Sequence, residues 1–348
     1  MKARISLVVL SLVLSLLIGL TLHRGAGGGK AAGEGPRRPL IGLSMDTLEV
    51  ERWLHDRDLF VARAKELGAD VLVVSANGND TRQIRDCEAL ISNKIDALVI
   101  IPHDGAAMAK GVALAHEAGI PVLAYDRLIL NCDLDLYLTF DNVRVGELQA
   151  GYLVDKLKGR KARIVRLMGS KTDNNAFLFK QGQDNILNPA IAAGDIEIVH
   201  EDWCDGWRPE NAKKAVNAAI TKAGRNIDAV LCSSDILSGG AIQVLLEEGL
   251  AGKVLVTGQD ADLTSCQRIV EGTQAMTIYK PIKNLAHAAA ELAVRLARRQ
   301  VVVAKEELAN GRINVPSIYL PVHVVDKDTM ESTVIADGFH KREAIYQH

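Results

Sequence analysis

The chain has 348 residues, 48% of them hydrophobic and 24% charged, which is enough to bury more than one core. The formal net charge of −2 conceals an uneven spread: residues 1–38 hold six of the 41 Lys/Arg and one of the 43 Asp/Glu, leaving 35 basic against 42 acidic side chains in 39–348. A mildly acidic body lacks the clustered Lys/Arg that neutralise phosphates, which excludes a nucleic-acid partner.

Lys2 and Arg4 precede an uncharged apolar run from Ile5 to Leu22, followed by the Gly/Ala-rich "HRGAGGGKAAGEGPRRP". A basic start, an apolar run and small residues predict an export signal peptide. The run also reaches the lower length limit of a membrane-spanning helix. Residues 1–38 are therefore expected to be an export signal or an N-terminal anchor plus flexible linker. In either case 39–348 is predicted to be periplasmic or extracytoplasmic, with membrane tethering through Ile5–Leu22 as the alternative to cleavage.

From residue 39 short apolar runs alternate with amphipathic stretches, the pattern of an α/β protein with mainly parallel sheets. "PLIGLSMD" ends at Asp46, "DVLVVSAN" at Asn77, "ALVIIPHD" at Asp104, "PVLAYDR" at Arg127 and "LYLTFDN" at Asn142. A second series follows: "RIVRLMGS", "IEIVHED", "AVLCSSD", "KVLVTGQD" and "AMTIYK". Every strand candidate stops on polar or charged residues, and open α/β sheets bind ligands beyond the carboxyl ends of their strands. Between them, 57–68, 81–95 and 107–119 show helical spacing, with Thr81 as a candidate N-cap.

Two strand series predict two lobes. Residues 39–141 and about 282–315 form lobe one; 142–280 and about 316–348 form lobe two with the tail and hinge return. The expected crossings lie near Asp141–Asn142, Lys280–Pro281 and Val315–Leu320, and several parallel crossings make a hinge that can close on a small ligand. The five cysteines (Cys87, Cys132, Cys204, Cys232 and Cys266) lie far apart with no C-x-x-C spacing, which leaves isolated thiols or one disulfide open and offers no metal site.

Candidate ligand groups sit at the strand ends. Asp126 can accept two hydroxyl protons and Arg127 donates in a fixed fork, so the adjacent pair suits neighbouring hydroxyls as well as a plain surface ion pair. Arg52 and Trp53 follow the first strand, Trp207 stands in "DGWRPENA", and Asp260 ends "KVLVTGQD". Each has a plainer reading as a surface charge, a packed indole or a strand-end cap. Asn174 or Asn175 reads first as a helix N-cap, and Lys280 as a solvated lysine.

"LEVERWLHDRDLFVARAKELGADVLVVSANGND", "VIIPHDG", "VLAYDR", "TFDNVRVGELQA", "DNNAFLFKQGQ", "DGWRPENA", "SGGAIQ", "GQDAD" and "GTQAMTIYKPI" occur in this order. They resemble the ribose/galactose-type periplasmic sugar-binding family that serves ABC importers, from residue 40 to the closing "STVIADGFHK". The resemblance implies a two-lobed periplasmic-binding-protein fold with a three-crossing hinge, a membrane permease as partner, and no enzymatic activity or cofactor. It implies a monosaccharide ligand (aldopentose or aldohexose), D-xylose first, held by Arg52, Trp53, Asp126, Arg127, Asn175, Trp207, Ser234, Asp260 and Lys280. Ser234 departs from the pattern: the family has Asn before Asp in "SND", and this chain reads "CSSD". Serine offers one hydroxyl where an amide offers two donors and an acceptor site.

Three other functions compete for the same residues. The enzyme motifs H-E-x-x-H, G-x-x-x-x-G-K-[ST] and G-x-S-x-G are absent, and "MGSKTDNN" lacks the first P-loop glycine. Asp126 and Asp260 could imitate a glycosidase pair, but Arg127 beside Asp126 should lower its pKa and make it a poor general acid. A sugar-responsive repressor would need a helix-turn-helix ahead of residue 40, where the apolar run stands. A tethered sugar sensor signalling to a histidine kinase or chemoreceptor fits the same residues as a transport component.

Overall fold

The computed structural model describes residues 37–346; the predicted export segment lies outside the described residues apart from Arg37 and Arg38. The first five strands are β1 (Leu40–Met45), β2 (Asp70–Ser75), β3 (Ala97–Ile100), β4 (Val122–Tyr125) and β5 (Leu136–Phe140). They alternate with helices α1 (Glu51–Glu66), α2 (Asp80–Ser92) and α3 (Ala109–Glu117). All residues of β3, β4 and β5 are buried, because these strands are covered on both faces.

The second series begins with α4 (Asn142–Lys156) and continues through β6 (Ala162–Met168), α5 (Asn174–Ala192), β7 (Ile196–Trp203), α6 (Pro209–Ala223), β8 (Ala229–Cys232), α7 (Asp235–Glu247) and β9 (Leu255–Val256). Its sheet runs β7-β6-β8-β9, all parallel. After α8 (Leu263–Glu271) and β10 (Thr277–Tyr279), the chain returns to lobe one as α9 (Ile282–Ala297). This helix lays Leu285, Ala286, Ala289, Ala290 and Ala293 into the core that holds Trp53, Phe60 and Ala64 of α1.

Strands β11 (Glu306–Ala309) and β12 (Asn314–Leu320) complete a seven-stranded first sheet in the order β11-β12-β5-β4-β3-β1-β2. Only β11 is antiparallel there, and the sequence pattern gave no sign of it. Strand β13 (His323–Val325) pairs with β10 instead. The boundary set at about 315 therefore falls inside β12, which stays paired with β5 through Leu320. Consecutive elements change sheets between Phe140 and Asn142, at Lys280–Pro281, and between Leu320 and His323.

Two local readings change. Helix α2 is capped by Asn79, whose side chain accepts from Arg82 N at 2.8 Å, and not by Thr81. Helix α1 starts at Glu51, six residues before the predicted start, which moves Arg52 and Trp53 from a loop into its first turn. Helices α4 and α5 cross closely: a Cβ at Gly146 would lie 2.0 Å from the Phe179 carbonyl oxygen, and one at Gly182 1.9 Å from that of Val143. All five cysteines are buried and free.

Candidate functional site

The carboxyl ends of β1, β3 and β4 face those of β6, β8 and β9 across one cavity. Its walls include all nine residues singled out from the sequence: Arg52, Trp53, Asp126, Arg127, Asn175, Trp207, Ser234, Asp260 and Lys280. Asp46, His103, Asp173 and Gln259 line it as well, although none of these four was a candidate.

On lobe one, Arg52 is a hub. Its Nε donates to Asp56 Oδ2 at 3.2 Å, one terminal nitrogen donates to Asp126, and the other reaches Asp260 Oδ1 of lobe two at 3.4 Å. Asp56 lies behind the cavity wall and also accepts the Tyr125 hydroxyl. Burial pushes the Asp56 carboxyl up to about 6 against the pull of Arg52. The Trp53 ring has the Arg52 guanidinium 4.4 Å and that of Arg127 5.5 Å from its centroid, two cation–π contacts in a buried place.

Asp126 and Arg127, expected to act as a pair, turn to different partners. Asp126 takes Arg52, while Arg127 donates to Asp46 Oδ2 at 2.7 Å and meets Asp173 Oδ2 of lobe two at 2.9 Å. Burial acts to raise the Asp126 carboxyl, but Arg52, then Lys280, and only last Arg127 bring it below its ordinary value. The direction matches the sequence argument, but the main cause is Arg52. The divergence follows from the backbone: φ of Asp126 is +65°, a left-handed value that separates successive side chains. Its carbonyl is held by the Tyr137 hydroxyl at 2.8 Å, Thr139 Oγ1 at 2.7 Å and Asn175 Nδ2 at 3.0 Å.

Lobe two meets this frame with helix starts. Asp173, not Asn174 or Asn175, caps α5: its Oδ1 accepts from Asn175 N at 2.9 Å. That frees the Asn175 side chain to reach lobe one, where Nδ2 donates to the Asp126 carbonyl, while Oδ1 accepts from Asn142 Nδ2 at the start of α4 at 2.9 Å. Trp207 donates from Nε1 to Asp173 Oδ2 at 3.2 Å and stacks edge-on with Phe179. Gly169 lies under the indole, where a Cβ would be 2.0 Å from the ring, so only glycine leaves room for it.

Ser234 caps α7, accepting from Leu237 N at 3.4 Å. Next to it Asp235 is fully buried behind the wall, tied to Gln274 Nε2 at 2.9 Å and Thr277 Oγ1 at 3.0 Å. Asp260 has φ +100°, mirroring Asp126, and pairs with Lys280 Nζ at 2.8 Å. Lys280 is itself buried, contrary to the reading as a solvated lysine. Gln259 donates to the Ser233 carbonyl at 3.1 Å, and its Oε1 has no partner among the described residues.

Carboxylates, guanidiniums, an ammonium and amides around one cavity, with two indoles in its walls, form a surface suited to a neutral molecule rich in hydroxyls. Residues 41–300 match the periplasmic binding protein domain. The chain belongs to that family. It is 50% identical over 307 residues to the D-xylose-binding periplasmic protein of Haemophilus influenzae, covering 88% of this chain and 92% of the relative. It is 48% identical over 305 residues to the D-xylose-binding periplasmic protein of Escherichia coli K12, with the same coverage. A carbohydrate transporter solute-binding protein from Chloroflexus aurantiacus, solved with D-glucose, superposes with a TM-score of 0.83 at 30% identity, covering 89% of this chain and 98% of that one. The fold is thus that of a periplasmic binding protein, two parallel α/β lobes around a cleft.

The four missed cavity residues carried a signal. Asp46 directly follows β1, His103 and Gln259 stand three residues beyond β3 and β9, and Asp173 precedes a helix. All four thus lie in the loops at the carboxyl ends of strands, where such sheets bind ligands. Asp56 is different: it sits mid-pattern in α1, and only the fold brings it to Arg52 and Tyr125.

Proposed function

We propose that this chain is an extracytoplasmic receptor that closes on D-xylose and presents it to an ABC importer, without catalytic activity. The observation that supports this most is one cavity that gathers all nine candidate residues, with ionised and amide groups from both lobes in its walls. The 50% identity to a D-xylose-binding periplasmic protein narrows the sugar.

In this reading Asp126, Asp260, Arg127 and Lys280 exchange hydrogen bonds with hydroxyls at the pyranose rim. Arg52 donates beside them, Trp53 and Trp207 meet the ring faces, and Asn175 and Ser234 contact the sugar from lobe two. A sugar held by both lobes favours the closed arrangement by the contacts that exist only there. Micromolar affinity needs about 8 kcal/mol, within reach of several charge-assisted hydrogen bonds and stacking. The ionised Asp126 beside Arg52 suits an acceptor and not a general acid.

Ser234 is satisfied as a helix cap, a role Asn fills equally well. The exchange therefore acts on reach into the cavity and not on folding. Retention of the apolar run Ile5–Leu22 would make the same domain a tethered sensor for a membrane kinase, and N-terminal sequencing of the exported protein separates the two forms. Titration calorimetry against xylose, glucose, ribose, arabinose and galactose tests the assignment. D-Xylose is expected to bind tightest; heat from none of the five overturns the reading.

A further inference from the structure

The segment after β13 belongs to neither parallel sheet, yet it closes back onto the cavity wall. Residues 331–335 form a π-helical turn and Arg342–Ile345 a short helix, α10. Met330, Val334 and Ile345 are buried together with Ala261, Cys266, Ile269 and Tyr279, so this tail is packed on α8 and on the hinge strand β10. Polar contacts fix it there. The Tyr279 hydroxyl donates to Asp337, Gln267 Nε2 donates to the Ala344 carbonyl at 2.8 Å, and His340 Nε2 stands 2.8 Å from the Ala261 carbonyl oxygen.

A carbonyl only accepts, so His340 must carry a proton on Nε2 and donate it. Burial lowers the pKa of this imidazole and so favours its neutral form, and the accepting carbonyl places the remaining proton on Nε2. Ala261 directly follows the cavity residue Asp260, and both have left-handed backbone, φ +100° at Asp260 and +55° at Ala261. Two successive residues with side chains hold such values only when their surroundings enforce them.

The enforcing contacts are few. Asp260 N donates to the Ile278 carbonyl at 2.8 Å, Ala261 N to Thr277 Oγ1 at 3.3 Å, and Asp262 N to Asp235 Oδ2 at 3.0 Å. On the carbonyl side Ala261 has the His340 imidazole and the thiol of Cys266 at 3.5 Å, a weak donor. Without the imidazole N–H, the Ala261–Asp262 peptide keeps only that thiol on its carbonyl and the Asp262 N–H bond to Asp235 on its other side.

We propose that His340, contributed by the C-terminal tail, is a positioning residue for the sugar site. Through the Ala261 carbonyl it locks the left-handed turn that aims the Asp260 carboxylate at Lys280 and the ligand. The proposal rests on Asp260 contacting the sugar, as proposed above. It adds the tail as a support of affinity that no cavity-lining residue reveals.

The test is calorimetric titration of D-xylose into the full-length exported protein and its H340Q, H340N and H340F forms, with a thermal melt of each. Gln places an amide N–H where Nε2 stands, Asn stops one methylene short, and Phe keeps the ring without a donor. H340Q is expected to bind within about twofold of wild type, and H340N and H340F about fivefold more weakly, the scale of one hydrogen bond. In a Asp260→Asn background the H340N change should lose its effect. H340N and H340F binding like wild type overturns the proposal, and so does a loss shared equally by H340Q. If H340F fails to fold, the Gln/Asn pair, alike in polarity, still decides. Wild-type protein that takes up no D-xylose overturns the functional reading itself, and this proposal with it. Wild-type binding with indifferent variants overturns the proposal alone.

Discussion

The two walls of the cleft are built on opposite electrostatic plans. Lobe one interleaves acids with guanidiniums, so Asp46 and Asp126 stay below the ordinary carboxylate range although burial opposes them. Lobe two places acids at helix starts beside amides and hydroxyls, and burial drives Asp173, Asp235 and Asp262 upward. Asp56 is the exception on lobe one, pushed up to about 6 because burial outweighs its share of Arg52. Lobe one is thus a preset ionic frame, and lobe two a hydrogen-bonding face that meets it. The Arg127–Asp173 pair and the Asn175 bridge to Asp126 join the two.

The largest effect should come from breaking the frame. Arg52→Met leaves Asp56 and Asp126 buried without their shared cation. Urea unfolding is expected to show a loss of about 3–5 kcal/mol, the cost of an uncompensated buried charge. The matching change on lobe two, Asp173→Asn, is expected to cost clearly less, and equal losses would erase the contrast. Next in size, Asp126→Ala and Trp207→Ala should each weaken D-xylose at least about tenfold with an unchanged circular dichroism spectrum. Unchanged affinity in both would mean that the ligand lies elsewhere.

The pH response should separate the lobes by sign. A carboxylate raised by folding supports stability fully below its unfolded value, near pH 4, and loses that support as pH rises through its folded value. Asp262 is raised to about 7 by burial, then by Asp260 and Glu51. Asp262→Asn should therefore gain stability over wild type progressively between about pH 4 and 7, as thermal melts would show. Asp46, held low despite burial by His103 and Arg127, works the other way: its contribution is present above about pH 4 and fades as pH falls through its folded value. Asp46→Asn should accordingly cost most at neutral pH, and melts with the same trend for both variants would contradict the contrast. The smallest effect belongs to Ser234. Ser234→Ala should cost about 1 kcal/mol of stability through loss of the cap, and Ser234→Asn almost none, by urea unfolding.

Much of this was legible in the sequence because parallel strands announce their ends. The apolar runs of "PLIGLSMD", "PVLAYDR" and "KVLVTGQD" put Asp46, Asp126 and Asp260 at strand ends, and "DNNA" marks a helix start beside them. What stayed hidden depends on backbone torsion and on distant partners. Nothing in "PVLAYDR" tells that a φ of +65° sends Asp126 to Arg52 and Arg127 to Asp173. The edge strand β11 was invisible because "EELA" carries no alternating apolar pattern, its residues being mostly exposed. Likewise "GFHK" near the C-terminus gave no sign that His340 reaches Ala261, some eighty residues earlier in the chain.

The central claim is that one sugar is gripped by both walls at once. A crystal structure of the protein with D-xylose tests it most directly. Density for one pyranose is expected in the cavity, with Asp126 of lobe one and Asp260 of lobe two both within hydrogen-bond distance of its hydroxyls. Density outside the cavity, or a sugar touching only one of the two lobes, would contradict it.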